Sequence, residues 1–367
     1  MRIALVHDFL NTWGGGEYVL KVFTELYPEA PIYSLTYKQA IVDEFFPGRK
    51  IIPSFLQNYP GMPDKFKYYL SFMPKAIESF DFSDYDVVLS DSSAYAKGAI
   101  TKGATKHVCY LHTPTRYLWS DREEYIKNAP IPLPIIGRSV VKGIVKKLQK
   151  WDLEAAKRPD VIIANSKYIA ERTRTYYHRD PEYVVFPPVN VKQFKIGTPG
   201  DYFLVLARAE PYKRTDLAIQ AANKLGLKLK VVGGGTKIKY LQEMAGPNVE
   251  FLGRVSEEEK VRLFSGCLAF IFPPKEDAGI TPLEAMASGR PVIAYSEGGA
   301  LESVVEGETG EFFSDQTVDS LVEVLKVFDP SNYNPQKIRQ HADKFDKEIF
   351  KNRIQQIVND ALSSDKR

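Results

Sequence analysis

Short runs of consecutive apolar residues recur along the chain and alternate with stretches of helical periodicity. Continuous apolar runs, rather than strict alternation of apolar and polar positions, are typical of strands buried on both faces. Strands that alternate with helices indicate parallel sheets covered by helices. The predicted strands are residues 2–8, 30–35, 85–90, 107–112, 160–166 and 183–189 in the first half, and 202–208, 227–234, 249–253, 268–274 and 291–296 in the second.

The alternation pauses at residues 189–201, which are polar and contain glycine and proline. Such a stretch, followed by a new strand, is typical of a domain linker. The sequence therefore predicts two Rossmann-like α/β domains. Their predicted bounds are 1–192 for the N-terminal domain, 193–200 for the linker, 201–345 for the C-terminal domain, and 346–367 for a C-terminal helix packed back on the first domain.

Polar or glycine-rich residues follow the predicted strands in both halves, as in HDFLNTWGGGE, YLHTPTR, ARAEPYKR and PPKEDAG. Ligands of open parallel sheets bind beyond the carboxyl ends of the strands. If two such sheets face each other, these residues would line a cleft between the domains.

Composition narrows the class of protein. The chain has 367 residues, 44% of them apolar and 26% charged, which is typical of a globular protein with more than one domain. A net charge of +3 disfavours a nucleic-acid-binding protein. Cys109 and Cys267 lie in apolar runs, so we expect buried thiols in a reducing compartment. Neither a signal peptide nor a membrane-spanning run is visible, and we expect a cytoplasmic protein.

The stretch KEDAGITPLEAM (275–286) combines two kinds of signal. Thr281 followed by Pro282 and Glu284 predicts a capping box at a helix start. The residues before it, including Gly279, would expose backbone N–H groups at a helix N-terminus, which favours phosphate. A carboxylate repels phosphate, so Glu276 and Glu284 make chemical sense as acceptors for hydroxyl groups of a ribose and a sugar.

A cationic group for such a phosphate is available elsewhere in the sequence. Arg208 follows a predicted strand, and Lys213 lies five residues further on. A diphosphate leaving group needs cations to stabilise its developing charge, although either residue taken alone is better explained as a solvated surface side chain. Gly233–Gly235 follow another strand, either as an ordinary turn or for close backbone approach to a ligand.

Together these motifs resemble the retaining glycosyltransferases of family 4, which have the GT-B fold of two Rossmann-like domains. The resemblance implies that residues 1–192 form the acceptor-side domain and residues 201–345 the nucleotide-sugar-binding domain. The family's E-x7-E signature matches Glu276 and Glu284, and its basic pair matches Arg208 and Lys213. The resemblance implies that Glu284 holds the nucleotide ribose, that Glu276 contacts the donor sugar, and that the basic pair binds the diphosphate. It implies further donor contacts through Gly233 and Gly235, through amides at Gly279, Ile280 and Thr281, and through backbone near the base at Arg254 and Val255.

The first half also resembles this family. Its Gly14–Gly16 cluster is not a dinucleotide motif, and the resemblance places Gly15 and Gly16 near the donor. His112 ends a predicted strand, where the family has a functional histidine near the sugar. A lone histidine is more often structural, and Thr113-Pro114 also predicts a helix start. The HTPTRYLW segment is similar to mannosyltransferases of bacterial O-antigen and exopolysaccharide assembly, which implies GDP-mannose as donor.

The resemblance implies transfer of a hexose to a glycan or lipid-linked acceptor with retention of configuration and without a metal or cofactor. Three alternatives stay open: a UDP-sugar-dependent transferase, a nucleotide-sugar 2-epimerase, and a non-catalytic nucleotide-sugar-binding protein. Asp84-Tyr85-Asp86 matches a D-x-D metal motif, but it precedes a strand and reads better as a polar turn. No His/Cys cluster has metal-ligand spacing.

Residues 137–151, GRSVVKGIVKKLQKW, predict an amphipathic helix without an acidic residue. Its apolar side suits packing on the N-terminal sheet, with the lysines in water. The same pattern also suits peripheral contact with an anionic membrane at the inner face, and both roles are compatible.

Overall fold

The computed structural model describes residues 1–128 and 136–363. Two compact units divide the chain. The first unit contains Met1–Phe186 and the residues from Lys351 onward, and the second contains Pro187–Phe350. Each unit is a parallel sheet with helices, so the predicted α/β class with two Rossmann-like domains is confirmed.

The sheet of the first unit has seven described strands in the order β3-β2-β1-β4-β5-β6-β7, all paired in parallel. The buried strands are apolar on both faces, as the continuous runs predict. The strands are β1 (Ile3–Leu10), β2 (Ile32–Tyr37), β3 (Ile51–Pro53), β4 (Val87–Ser92), β5 (Lys106–Leu111), β6 (Val161–Ala164) and β7 (Tyr183–Val184).

The sheet of the second unit has six described strands in the order β10-β9-β8-β11-β12-β13, again all parallel. In both sheets the strand order reverses beside the first strand of the unit. The strands are β8 (Phe203–Leu206), β9 (Leu229–Val232), β10 (Val249–Gly253), β11 (Phe270–Phe272), β12 (Val292–Tyr295) and β13 (Gly310–Phe313).

Helices connect the successive strands of both units, except that only a 3₁₀ turn (Ala96–Gly98) lies between β4 and β5. Those of the first unit are α1 (Gly15–Leu26), α2 (Gln39–Phe45), α3 (Met73–Glu78), α4 (Arg122–Asn128), α5 (Ile136–Ala155) and α6 (Lys167–Tyr177). The second unit continues with α7 (Thr215–Leu225), α8 (Ile238–Met244), α9 (Glu257–Gly266), α10 (Ile280–Ala287), α11 (Ala300–Ser303), α12 (Val318–Val327), α13 (Pro335–Ala342) and the start of α14 (Lys347–Ser363). Within the described ranges, no helix has the length and apolarity needed to cross a membrane.

The last helix, α14, is shared by the two units, because residues from Lys351 onward group with the first. Lys351 forms an ion pair with Glu25 at 2.7 Å. The guanidinium of Arg353 lies 5.2 Å from the ring centre of Tyr183. Ile354, Ile357 and Val358 are fully buried, so this segment contributes to packing and not only to surface charge.

Both cysteines are free and buried, as predicted. Burial raises the pKa of each thiol, Cys109 and Cys267, to about 12. A thiol with such a pKa stays protonated at neutral pH and is a poor nucleophile. The two side chains therefore act as small apolar groups in the sheets.

Candidate functional site

In both sheets, polar and charged residues of the candidate site lie on or just after the strands beside which the strand order reverses. In the first unit this position lies between β1 and β4, and in the second it lies between β8 and β11. Ligands of open α/β sheets bind in the crevice at the carboxyl ends of such neighbouring strands. The chain that follows β8 carries Arg208 and Lys213, and the chain that follows β11 carries Glu276. Strand order therefore brings together residues that the sequence separates widely.

The structure pairs two of the predicted site residues directly. The ammonium group of Lys213 donates to Oε1 of Glu276, and both side chains are only slightly exposed. The Lys213 ammonium also lies 5.1 Å from the ring centre of Tyr212. Nη2 of Arg208 donates to the hydroxyl of Tyr212 at 3.0 Å. An ammonium group has three donors, so Lys213 can hold Glu276 and still donate to phosphate oxygens.

Two glycines hold the backbone of the Glu276 loop, which comprises residues 273–279. The amide of Gly299 donates to the carbonyl of Glu276 at 2.9 Å. Gly298 has φ of +75°, and a Cβ there would lie 2.4 Å from the Glu276 carbonyl oxygen. A Cβ at Gly299 would lie 2.4 Å from Cα of Ala278. Only glycine permits this approach, so the Gly-Gly pair fixes the loop that presents Glu276.

Helix α10 begins differently from the sequence prediction. Its N-cap is Gly279, with φ of +77° and no side-chain cap bond, so Ile280 and Thr281 are the first two helical residues. The predicted capping box is therefore wrong: Thr281 is not the N-cap. The left-handed turn that only glycine adopts easily sets the helix start two residues earlier. Pro282 is tolerated inside the first turn, where its missing N–H has no intrahelical partner in any case.

Glu284 forms an ion pair instead of completing a cap. Its Oε1 lies 2.8 Å from Nζ of Lys260, a residue of α9. Burial raises the pKa of Glu284, and the charge of Lys260 opposes that rise. For Lys260, burial lowers the pKa, but Glu284 and Glu257 together outweigh that effect and the net pKa is raised. The Lys260 charge thus favours the carboxylate form of Glu284, which can accept hydroxyl groups.

The glycine-rich loop packs against the backbone that leads to Arg208. A Cβ at Gly233, where φ is +124°, would lie 2.0 Å from the carbonyl oxygen of Ala207. A Cβ at Gly235 would lie 2.7 Å from the carbonyl oxygen of Ala209, and Gly234 accepts the Ala209 amide at 3.0 Å. These glycines are required by close backbone contact within the protein. That contact is a structural reason for the cluster which the sequence did not reveal.

The segment after β10 adjoins this loop. The amide of Gly233 donates to the carbonyl of Gly253 at 2.7 Å. Arg254 and Val255 follow directly, the first exposed and the second partly buried. Their predicted role near the base stays a prediction.

In the first unit, His112 belongs to a row of alternating charges. Its Nε2 contacts Oδ1 of Asp91, while the other carboxylate oxygen lies 2.9 Å from Nδ1 of His7. Nε2 of His7 in turn lies 3.9 Å from Oε1 of Glu17. We call these four residues the His112 row. His7 and Asp91 are register partners on β1 and β4.

The row favours a protonated imidazole at both histidines. Burial lowers the pKa of His7, but the hydrogen bond with Asp91 and the negative charges of Asp91 and Glu17 outweigh that effect and raise the pKa to about 10. For His112, burial also lowers the pKa, but Asp91 raises it by a larger amount, so the net pKa is above its usual value. Burial raises the pKa of Asp91, and both histidines overcome that effect. An imidazolium at His112, fixed in orientation, can donate to an electron-rich group of a ligand.

Two neighbouring features frame the row. The Asp8 carboxylate accepts hydrogen bonds from the backbone amides of the four consecutive residues 93–96, at 2.6–2.9 Å. It thereby holds the turn after β4. Gly15 and Gly16 open helix α1, and neither has a positive φ. A Cβ at Gly16 would lie 3.7 Å from Nε2 of His112. The first turn of α1 therefore adjoins His112, and small size rather than backbone conformation distinguishes the glycines there.

The structure also bears on the predicted helix start at Thr113-Pro114 and on the D-x-D motif at residues 84–86. Thr113-Pro114 does not start an α-helix; a 3₁₀ turn begins only at Arg116. Asp86 of the D-x-D motif accepts the amide of Arg2 at 2.6 Å, which agrees with a structural turn before β4. Among residues 1–128 and 136–363, no three His, Cys, Asp or Glu side chains are placed to hold a metal ion.

Sequence reasoning missed His7, Glu17, Asp91, Tyr212 and Lys260. A usable signal existed for two of them. His7 and Asp91 are polar residues within apolar strand runs, and buried polar groups need partners. Lys260 sits in the charged stretch EEEKVR, where nothing distinguishes it from a solvated lysine.

Two family models match the chain in succession. The model described as Glycosyltransferase Family 4 matches residues 32–193. The model described as Glycosyl transferases group 1 matches residues 188–345. Together the two models match residues 32–345, and the chain belongs to the family 4 (group 1) glycosyltransferases.

Curated relatives and solved structures agree with that family. The chain is 34% identical over 190 residues to alpha-1,3/1,6-mannosyltransferase ALG2 of Mus musculus, covering 41% of this chain and 46% of the relative. It is 29% identical over 222 residues to the GDP-mannose-dependent monoacylated alpha-(1-6)-phosphatidylinositol monomannoside mannosyltransferase of Corynebacterium glutamicum, covering 52% and 57%. The chain thus spans about half the length of these relatives.

Solved structures match over nearly the whole chain. The crystal structure of Anabaena HepE in complex with UDP-glucose aligns with a TM-score of 0.73 and 16% identity, covering 98% of this chain and 100% of that one. Sucrose-phosphate synthase from Thermosynechococcus elongatus aligns with a TM-score of 0.74, 16% identity and the same coverage. At this identity the likeness establishes the fold, which is GT-B.

Proposed function

We propose that this protein is a retaining, metal-independent mannosyltransferase that transfers mannose from GDP-mannose to a glycan or lipid-linked glycan. The arrangement of Lys213, Glu276 and the start of α10 carries the proposal. The names of the mannosyltransferase relatives in Mus musculus and Corynebacterium glutamicum support the sugar. The second of those names also supports the donor.

Departure of a nucleoside diphosphate develops negative charge on its phosphate oxygens. We assign Arg208 and Lys213, which follow β8, to offset that charge. The first amides of α10, at Ile280 and Thr281, have no intrahelical acceptors and add a helix N-terminus. Preorganised donors of this kind stabilise a leaving group without a metal ion.

Glu276 and Glu284 then serve as hydroxyl acceptors and not as nucleophiles. Glu276 already holds Lys213, so we assign it to the donor sugar, next to the cation that meets the diphosphate. Glu284, fixed by Lys260, is assigned to the ribose. The first unit offers His112, which we assign to positioning of the sugar. In this proposal the leaving diphosphate itself helps to deprotonate the acceptor.

Thermal stabilisation by nucleotides tests the donor. Ligands that bind the native state raise the melting temperature by mass action. We expect a rise with GDP and GDP-mannose and none with UDP, ADP or dTDP ligands. A rise with UDP ligands would replace the donor, and no rise with any nucleotide would refute the proposal.

Transfer of radiolabelled mannose from GDP-mannose to membrane glycolipid extracts tests the reaction. Lys213→Ala should lower the rate about 100-fold or more, the loss typical of one removed transition-state donor. Lys224→Ala is the matched control, since Lys224 forms an exposed ion pair with Asp319 at 2.8 Å on the same unit. Equal rates for the two variants would contradict the assignment.

The alternatives give different products. A 2-epimerase would isomerise the nucleotide sugar without any acceptor. A non-catalytic binding protein would bind the donor and neither transfer nor hydrolyse it. Product analysis by mass spectrometry separates these outcomes.

A further inference from the structure

Helix α5 presents a basic outer face that the proposed function does not use. Between residues 137 and 151 it contains one arginine, four lysines and no acidic residue. All five basic side chains are exposed, and none of them forms an ion pair with another described residue. They are Arg138, Lys142, Lys146, Lys147 and Lys150.

The inner face of the helix is fixed to the first unit. Val145 and Leu148 are buried in its core cluster, with Val141 and Trp151 partly buried against it. Asp152 is fully buried and holds Lys97 at 2.6 Å. The rotation of α5 about its axis is therefore set by packing.

Not all apolar side chains of α5 reach that core. Val140 is 57% exposed and Ile144 is 36% exposed. They are four residues apart and so lie one turn above the other on the same stripe. Lys147 lies beside this stripe, since at 100° per residue it falls within about 60° of both. The prediction that the whole apolar side packs on the sheet is wrong for these two positions.

Lys142, Lys146 and Lys150 form a second stripe at four-residue spacing. The outer face thus combines a ladder of like charges with a neighbouring apolar strip. Like charges at this spacing repel each other, which disfavours the arrangement unless an external negative surface offsets it. Side chains with long apolar stems and charged ends suit the boundary between lipid headgroups and acyl chains.

We propose that this outer face of α5 docks the protein on an anionic lipid surface, with the lysines among the headgroups and Val140 and Ile144 at the acyl boundary. Charge complementarity selects the partner: five cations without a carboxylate match a surface of phosphate groups. The helix lies on the surface and does not cross it. This inference does not depend on which sugar the protein transfers.

Vesicle co-sedimentation of the full chain tests the proposal. The probes are vesicles of phosphatidylcholine alone and vesicles containing three parts phosphatidylglycerol in ten. We expect binding to the anionic vesicles at low salt, weaker binding at high salt because ions screen the charges, and little binding to the neutral ones. Equal binding to the neutral and the anionic vesicles would overturn the proposal, as would the absence of binding to either.

The lysine stripe provides the decisive variant, Lys142→Gln/Lys146→Gln/Lys150→Gln. Each surface lysine near an anionic leaflet contributes about fivefold to partitioning, so the triple variant should bind about 100-fold more weakly. Lys326→Gln/Lys337→Gln/Lys344→Gln removes the same charge from exposed lysines of the second unit and should bind normally. Equal binding by both triple variants would refute the assignment of this face.

The apolar strip has its own variant, Val140→Ser/Ile144→Ser, which should reduce binding severalfold with unchanged salt dependence. Val327→Ser/Ile349→Ser is the matched control, at positions 81% and 52% exposed. Unchanged nucleotide-induced stabilisation of the triple lysine variant would show that the fold is intact. If heparin retains the wild type through the same lysines while vesicles do not, the partner is a soluble polyanion and the lipid proposal fails.

Discussion

The His112 row leads to a prediction about stability that depends on pH. Asp91→Asn preserves the shape of the side chain and removes the negative charge that His7 and His112 share. Asp91 is fully buried, and its carboxylate lies 2.9 Å from Nδ1 of His7. Hydrogen bonds to charged groups contribute about 1.5–3 kcal/mol each, and breaking a buried ion pair from one side costs about 3–5 kcal/mol. We therefore expect the free energy of unfolding to fall by about 3–5 kcal/mol near pH 6.

The sign of the pH dependence follows from His7. Its pKa is raised from 6.5 to about 10 in the folded protein. A raised pKa stabilises the fold fully at pH values below the unfolded pKa, and this contribution disappears as pH rises through the folded value. The difference between wild type and Asp91→Asn should therefore be largest near pH 6 and should shrink between pH 6.5 and about 10.

Guanidinium titration followed by tryptophan fluorescence is a suitable assay. All three tryptophans, at positions 13, 119 and 151, belong to the first unit, so the signal reports the unit that contains the row. Asp8→Asn is the matched control, because buried Asp8 accepts four backbone amides and no imidazole, so its removal should not reproduce a gap that closes through the pKa of His7. If the stability gap of Asp91→Asn is the same at pH 6 and pH 9.5, the reasoning is wrong.

Three further predictions concern single contacts. Asp152→Asn leaves the fully buried Lys97 charge without its carboxylate, and the same fluorescence titration should show a loss of about 3–5 kcal/mol. Gly298→Ala should lower the melting temperature and weaken nucleotide-induced stabilisation, because its Cβ would meet the Glu276 carbonyl. The control is Gly307→Ala, where φ is +73° and a Cβ would lie in open space, and it should affect only the melting temperature. Lys260→Met should raise the pKa of Glu284 further, so calorimetry should find that GDP affinity weakens as pH falls; an affinity independent of pH would contradict the role of Glu284.

The sheets were largely predictable because their inner strands are continuous apolar runs. Two edge strands escaped prediction, β3 (Ile51–Pro53) and β13 (Gly310–Phe313), since each is three or four residues long and contains proline or glycine. The start of α10 was misplaced because Gly279 acts through backbone conformation, which competes with the stronger side-chain signal of Thr281.

Pairs of site residues were harder to predict than the residues themselves. Lys213 meets Glu276 because β8 and β11 are neighbours in the sheet, although 63 residues separate the two in sequence. His7 meets Asp91 through strand register across 84 residues. Motif spacing records local geometry only, and such contacts require the strand order.

The shared helix α14 has a consequence for synthesis of the protein. A chain is made from its N-terminus, and domains commonly fold as units while synthesis continues. Here the first unit includes residues from Lys351 onward, whose contacts with Glu25 and Tyr183 involve segments made long before. The second unit is fully synthesised before the first has all its parts. Part of the apolar surface of the first unit therefore stays uncovered until the residues from Lys351 onward have been made.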